Sequence, residues 1–163
     1  MAELAQGKRA PEVKLPLMGG GEFSLTESLA KGAVVLAFFK ISCPVCQYSF
    51  PLYQKMSDRL AKHGVRVIGV SQDDEKSTAQ FAQKLGVKFP IALDNPKGYA
   101  VSNAYGLRTV PMVFEIGPSG YVESAIIGWS RAEMEEIYWR YADGRGAGVP
   151  VFEEGEVWEY KIG

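Results

Sequence analysis

The stretch FFKISCPVCQYSFP, Phe38 to Pro51, holds both cysteines of a 163-residue chain, Cys43 and Cys46. It overlaps the end of an apolar run, AVVLAFF (Ala33–Phe39), which has strand length and the unbroken hydrophobicity of a strand covered on both faces. Beyond it Tyr48, Leu52, Tyr53, Met56 and Leu60 recur at helical spacing until Gly64 stops the pattern. Cys43 therefore sits where a buried strand ends, and Cys46 lies in the first turn of the next helix. Pro44 falls at the first helical position, where a missing N–H costs nothing and φ is already helical. A sulfur at position 43 faces unpaired N–H groups and the positive end of the helix dipole, which favours thiolate over thiol. The two-residue spacer puts the second sulfur one turn on, within disulfide reach. The chemistry open to such a pair is exchange: Cys43 attacks, a mixed disulfide forms, and Cys46 resolves it.

Two other readings stand beside this one. Two inert buried cysteines would fit poorly with Pro44 and the strand-to-helix junction. Zinc normally takes four Cys or His ligands, whereas this chain has only Cys43, Cys46 and His63. His63 is about a helix length away, beside Gly64, and reads as a surface residue at a helix C-terminus. No metal ligand set is assigned.

Composition sets the frame. A chain that is 47% hydrophobic and 23% charged suits a soluble globule with a real core. The length suits a single domain over 1–163, with 142–163 as a C-terminal extension. The net charge of −1, with no Lys/Arg cluster, argues against a nucleic-acid partner. GAVVLAFF is far too short to span a bilayer, so no membrane partner is expected. The opening MAELAQGKRAPEVKLPL lacks the apolar core of a secretory signal. The location expected from it is cytoplasmic, unless an N-terminal leader has been removed.

The remaining segments alternate in type. Gly19-Gly20-Gly21 reads as a turn between two short strands, and Thr26–Leu29 as one helical turn. VRVIGVS (Val65–Ser71) predicts a second buried strand. A helix after Asp73 and Asp74 carries Phe81, Ala82 and Leu85 and ends at Gly86. FPIALD (Phe89–Asp94) predicts a strand, Lys97–Gly106 a short helix, and Pro111–Gly117 with Tyr121–Gly128 a hairpin. Ser130 and Glu133 form a capping-box signature for a last helix through Tyr141. EVWEYKI alternates apolar and polar and predicts a late edge strand. Trp129, Trp139 and Trp158 read as core or rim packing. "DDE" at Asp73–Glu75 suits a helix N-terminus and needs no metal. Together these elements predict an α/β domain with a mixed sheet.

From about Gly7 to Tyr141 the chain resembles the thioredoxin superfamily, in its redoxin branch of thioredoxin-like and alkyl hydroperoxide reductase/thiol-specific antioxidant proteins. APEVKLPLMGGGEFSLTESLAKGAVVLAFFKISCPVCQYSFP is similar to the redoxin N-terminal hairpin, first buried strand and active-site turn. Pro51 stands where these proteins carry the proline of the active-site helix. QDDEKSTAQFAQKLGVKFPIALD resembles the redoxin helix-strand insertion, and YGLRTVPMVFEIGPSGYVESAIIG the segment that holds the family's cis-proline, here Pro111. The resemblance implies a thioredoxin-like α/β/α sandwich with a mixed central sheet. It implies Cys43 and Cys46 as catalytic thiols, with Thr109, Val110 and Pro111 forming the substrate groove. Pro44 and Lys40 are supporting residues, Lys40 by favouring a nearby thiolate, and Arg108 is a candidate for meeting an anionic substrate. No cofactor is implied beyond the internal redox-active disulfide. The partners implied are a dithiol donor such as thioredoxin or glutathione, and a disulfide or peroxide substrate.

The departures carry weight too. Ser42 replaces the tryptophan that commonly precedes the first cysteine. Ala37 replaces the buried acid or amide that many relatives carry six residues before it, so Cys46 lacks its usual proton acceptor. In the peroxiredoxin pattern P-x-x-x-T-x-x-C, Cys46 would be the peroxidatic residue, Cys43 would stand on the threonine and Phe39 on the proline. Disulfide exchange is therefore the first reading and thiol-dependent peroxidase the second. A non-catalytic thioredoxin-like binding module is the third, encouraged only by Ser42 and Ala37.

Overall fold

The computed structural model describes residues 4–95, 98–142, 151–152 and 157–162. In chain order the elements are β1 (Lys14–Pro16), β2 (Glu22–Ser24), α1 (Leu25–Leu29), β3 (Val34–Phe39), α2 (Pro44–Ala61), β4 (Arg66–Ser71), α3 (Glu75–Leu85) and β5 (Ile91–Leu93). They continue with α4 (Ala100–Ala104), β6 (Met112–Ile116), β7 (Val122–Ile127), β8 (Trp129–Ser130), α5 (Arg131–Tyr141) and β9 (Tyr160–Lys161).

The central sheet has the order β5-β4-β3-β6-β7. β3 pairs parallel with β4 and β4 with β5, whereas β6 is antiparallel to both β3 and β7. Every residue of β3 is buried, because its period of two feeds separate cores on the two faces of the sheet. Val35, Ala37 and Phe39 join Cys46, Phe50, Tyr53, Met56 and Leu60 of α2, Phe81 of α3, and Met134 and Ile137 of α5. Val34, Leu36 and Phe38 join Leu15, Phe23 and Leu25 of the N-terminal hairpin and α1, and Val101 and Tyr105 at α4. Each buried Val, Leu or Phe contributes about 1.5–3 kcal/mol, and β3 is apolar at every position. The result is the α/β/α sandwich with a mixed sheet that the resemblance implies.

One sequence expectation is corrected. The helix expected over Lys97–Gly106 is shorter, Ala100–Ala104, and Lys97 lies outside the described residues. The buried Asp94 carboxylate accepts the N–H groups of Val101 and Ser102 at 3.1 and 2.7 Å, which anchors the helix start there. The late strand expected within EVWEYKI forms as β9 and pairs with β8 in a separate two-stranded sheet. Gly128, at φ 72°, separates β7 from β8, and a side chain there would overlap the Lys161 carbonyl. The alternation in EVWEYKI does not bury a face: Trp158, Tyr160 and Ile162 are exposed, and Val157 is the buried apolar residue among the described residues of that segment.

The C-terminal extension is held by burial of Val151, Phe152 and Val157 in the core beneath α2 and α5, and by polar and stacking contacts through two tryptophans. Trp129 is fully buried and donates from Nε1 to the Trp158 carbonyl at 2.6 Å. Trp158 in turn stacks on Tyr48 of α2, with ring centroids 3.8 Å apart, and its N–H donates to the Tyr48 hydroxyl at 2.6 Å. Trp129 is thus core and Trp158 rim.

Candidate active site

Cys43 is the N-cap of α2, with Pro44 at the first helical position. Its sulfur accepts the Cys46 N–H at 3.2 Å, and its carbonyl accepts the N–H of Gln47 at 3.0 Å. Cys43 is half-buried, Cys46 is wholly buried, and both are free thiols. From the other side of the site the Cys43 thiol donates to the Val110 carbonyl at 3.5 Å. The Val110–Pro111 bond is cis, and Pro111 is buried. Residues 43, 46, 110 and 111 therefore meet at one end of the sheet.

The two thiols are driven in opposite directions. The Cys46 side chain beside it, then backbone N–H groups of the helix mouth and the Lys40 charge, outweigh partial burial and hold Cys43 at about 6, down from 9.0. Burial pushes the Cys46 thiol far up, and the neighbouring Cys43 sulfur adds to this. Pro44, exposed at the helix start, and Lys40, exposed at the end of β3, flank the accessible sulfur.

Thr109 and Val110 line a cavity of about 170 Å³ with Lys40, Gln72, Leu107 and Arg108. A second cavity of about 290 Å³, lined by Lys40, Gln72, Tyr99, Ser102, Asn103 and Leu107, shares three of those residues and continues the trough. Among the described residues, no acidic side chain lines either one. A cavity of about 500 Å³ lies over β7 and α5 and shares no residue with the cysteine turn.

Some contributors were not legible in the sequence. Asp73, read only as helix-terminal charge, accepts the Ile41 N–H at 2.8 Å and so fastens the loop before Cys43; Asp74 is the actual N-cap of α3. Ile41 also receives Gln47 Nε2 on its carbonyl at 2.8 Å. No local spacing signals a contact between residues 32 positions apart. Ala37 is buried on the face of β3 that packs against Cys46, so no acid stands there. Phe39 is buried against Phe50 and Phe81, with centroids 4.2 and 5.0 Å away. His63 is exposed, with its ring edge-on to Tyr138. Among the described residues no group of three His, Cys, Asp or Glu is placed to hold a metal, and no helix is long and apolar enough to cross a membrane.

Two thiols at the mouth of a helix, on a mixed five-stranded sheet covered by helices on both faces, define a thioredoxin-like redox scaffold. The chain belongs to the AhpC/TSA family, whose profile its residues 6–125 match. It is 32% identical over 126 residues to the thiol-disulfide oxidoreductase ResA of Geobacillus thermodenitrificans, covering 77% of this chain and 71% of that one. It is 26% identical over 140 residues to bcp of Helicobacter pylori J99, which carries a peroxiredoxin name, covering 85% and 90%. In fold it is similar to a thiol:disulfide interchange protein from Bacteroides sp., with a TM-score of 0.75, 20% identity, and coverage of 90% and 95%.

Proposed function

We propose that this protein is a thiol–disulfide oxidoreductase with Cys43 as nucleophile and Cys46 as resolving thiol. The opposed ionisation of the two sulfurs carries this reading. The accessible Cys43 is a thiolate at neutral pH, and the buried Cys46 stays protonated until an adjacent mixed disulfide gives it a target. Thr109, Val110 and Pro111 form the wall against which a substrate disulfide lies, and Pro44 and Lys40 support the thiolate. The redox pair is internal. A thiol donor, either a dithiol such as thioredoxin or two molecules of glutathione, returns it to the reduced state and is itself oxidised to a disulfide. The trough carrying Lys40 and Arg108 without an acidic neighbour favours small disulfides that bear carboxylates.

Peroxide reduction, the second reading, rests on the family and the bcp relative. It requires Cys46 as peroxidatic thiolate, which burial opposes. It also requires donors around the peroxide, where Cys43 is a weak hydrogen-bonding group and Phe39 is packed into the core. The deciding experiment is stopped-flow oxidation of the reduced protein by a disulfide and by hydrogen peroxide. Fast reaction with the disulfide, lost in Cys43→Ser, is expected, with slow reaction toward peroxide. Rapid peroxide oxidation that survives Cys43→Ser but not Cys46→Ser would make this a peroxidase instead.

A further inference from the structure

Exchange leaves one chemical problem at this site. Once Cys43 is tied up in a mixed disulfide, the buried Cys46 thiol must become a thiolate, and residue 37 supplies no acid or amide to help it. On α2, Cys46, Ser49 and Tyr53 follow at i, i+3 and i+7 and are buried on one face. Helical side chains lean toward the N-terminus, so the Tyr53 ring reaches back toward the cysteine turn. It packs against Phe50 and Trp129, at centroid distances of 5.1 and 5.9 Å.

Tyr53 is 1% exposed, and among the described residues its hydroxyl is the only buried side-chain N or O atom without a hydrogen-bond partner. The Ser49 hydroxyl is near enough to act on it, but no bond of normal geometry joins them, and Ser49 Oγ donates to the Cys46 carbonyl at 3.5 Å. Charge on either cysteine sulfur also acts on the Tyr53 hydroxyl. A phenylalanine would fill the same space without burying an unpaired polar atom. The hydroxyl is therefore a donor with no acceptor while both thiols are reduced, on the buried helix face that also carries Cys46.

We propose that the Tyr53 hydroxyl donates a hydrogen bond to the Cys46 sulfur as it ionises, stabilising the resolving thiolate in place of the missing residue on β3. Burial, and after it charge on Cys46 and on Cys43, hold the Tyr53 pKa up, so it acts as a donor and not as a base. The exchange balances as follows. The Cys43 thiolate attacks one sulfur of the substrate disulfide, forming a mixed disulfide and expelling the first substrate thiolate. Cys46 gives up its proton, which ends on a departing substrate thiolate. Its sulfur then bonds to Cys43, breaking the bond to the substrate and releasing the second thiolate. The two protein sulfurs are oxidised to a disulfide, and the substrate disulfide is reduced by the same electron pair. The other ionisable groups acting on Cys46 are Cys43 and Asp73; the Asp73 charge disfavours the thiolate.

The inference rests on the exchange reading, and one assay separates the two. With limiting 5,5′-dithiobis(2-nitrobenzoate), the first release of chromophore reports attack by Cys43, and the second reports resolution by Cys46. If the unaltered protein shows no second release, the exchange reading itself fails. In Tyr53→Phe the first phase is expected to be unchanged. The second slows about ten- to hundredfold, the range of a lost hydrogen bond to a charged group, and its pH–rate profile moves to higher pH. Asp73→Asn is expected to hold or raise the second rate. A Tyr53→Phe protein that resolves at the original rate across the pH range would make the hydroxyl merely structural. A second phase slowed by Asp73→Asn and untouched by Tyr53→Phe would transfer the role to Asp73.

Discussion

The Cys46 backbone N–H donates to the Cys43 sulfur across 3.2 Å, so the attacking thiol is also the cap of the helix that carries its partner. Capping and reactivity are one interaction. The charge that makes Cys43 a nucleophile also satisfies an otherwise unpaired N–H group.

The pH dependence of stability follows from that link. Cys43 is lowered in the folded protein from 9.0 to about 6. Its contribution is therefore fully present above about 9 and is lost as pH falls through about 6. The reduced protein is expected to gain more stability between these limits than Cys43→Ser does. Urea unfolding at several pH values under reducing conditions checks this; parallel curves for the two proteins would contradict it.

The cause of the shift is separable by mutation. The Cys46 side chain is its largest source and the Lys40 charge a minor one. Cys46→Ala should move the alkylation midpoint of Cys43 upward more than Lys40→Gln does. Iodoacetamide rates against pH on the two variants measure both midpoints, and the reverse order would put the Lys40 charge first.

Accessibility fixes which thiol is trapped. Cys43 is half-buried and Cys46 is not exposed at all. Cys46→Ser should accumulate mixed disulfides with substrate, and Cys43→Ser almost none. Mass spectrometry after quenching with acid counts the adducts; equal trapping in both variants would mean that Cys46 is reached directly.

Arg108 lines the same cavity as Lys40 and Val110, the residue whose carbonyl meets Cys43. Arg108→Gln is expected to raise KM for glutathione disulfide several-fold while leaving turnover of the cationic disulfide cystamine unchanged or improved. Steady-state rates at low and high salt test this, since an effect of exposed charge fades with screening. Equal losses for both substrates would remove the charge argument.

The tail contributes stability through Tyr48. Tyr48→Phe removes the acceptor of the Trp158 N–H and keeps the stacked ring, which should cost about 0.5–1.5 kcal/mol. Denaturant unfolding measures the cost, and both phases with 5,5′-dithiobis(2-nitrobenzoate) should be untouched. A changed resolution rate would tie the tail to the chemistry.

The active-site turn was legible in the sequence because its physics is local. An apolar run of strand length, Pro44 at the first helical position and a helical recurrence from Tyr48 to Leu60 place Cys43 at the helix mouth without any distant contact. Through the family resemblance the sequence also marked Pro111. Only the tertiary structure set the Val110 carbonyl against the Cys43 sulfur, 67 positions away, and Asp73 against the loop at Ile41. The orphaned Tyr53 hydroxyl was likewise invisible: its helical spacing identifies a core position but not whether its oxygen finds a partner. The alternating tail predicted the strand β9, but its pattern states which residues share a face and not what covers it. Periodicity and capping depend on neighbours in the chain, whereas hydrogen-bond satisfaction and sheet pairing depend on which distant elements the packed core brings together.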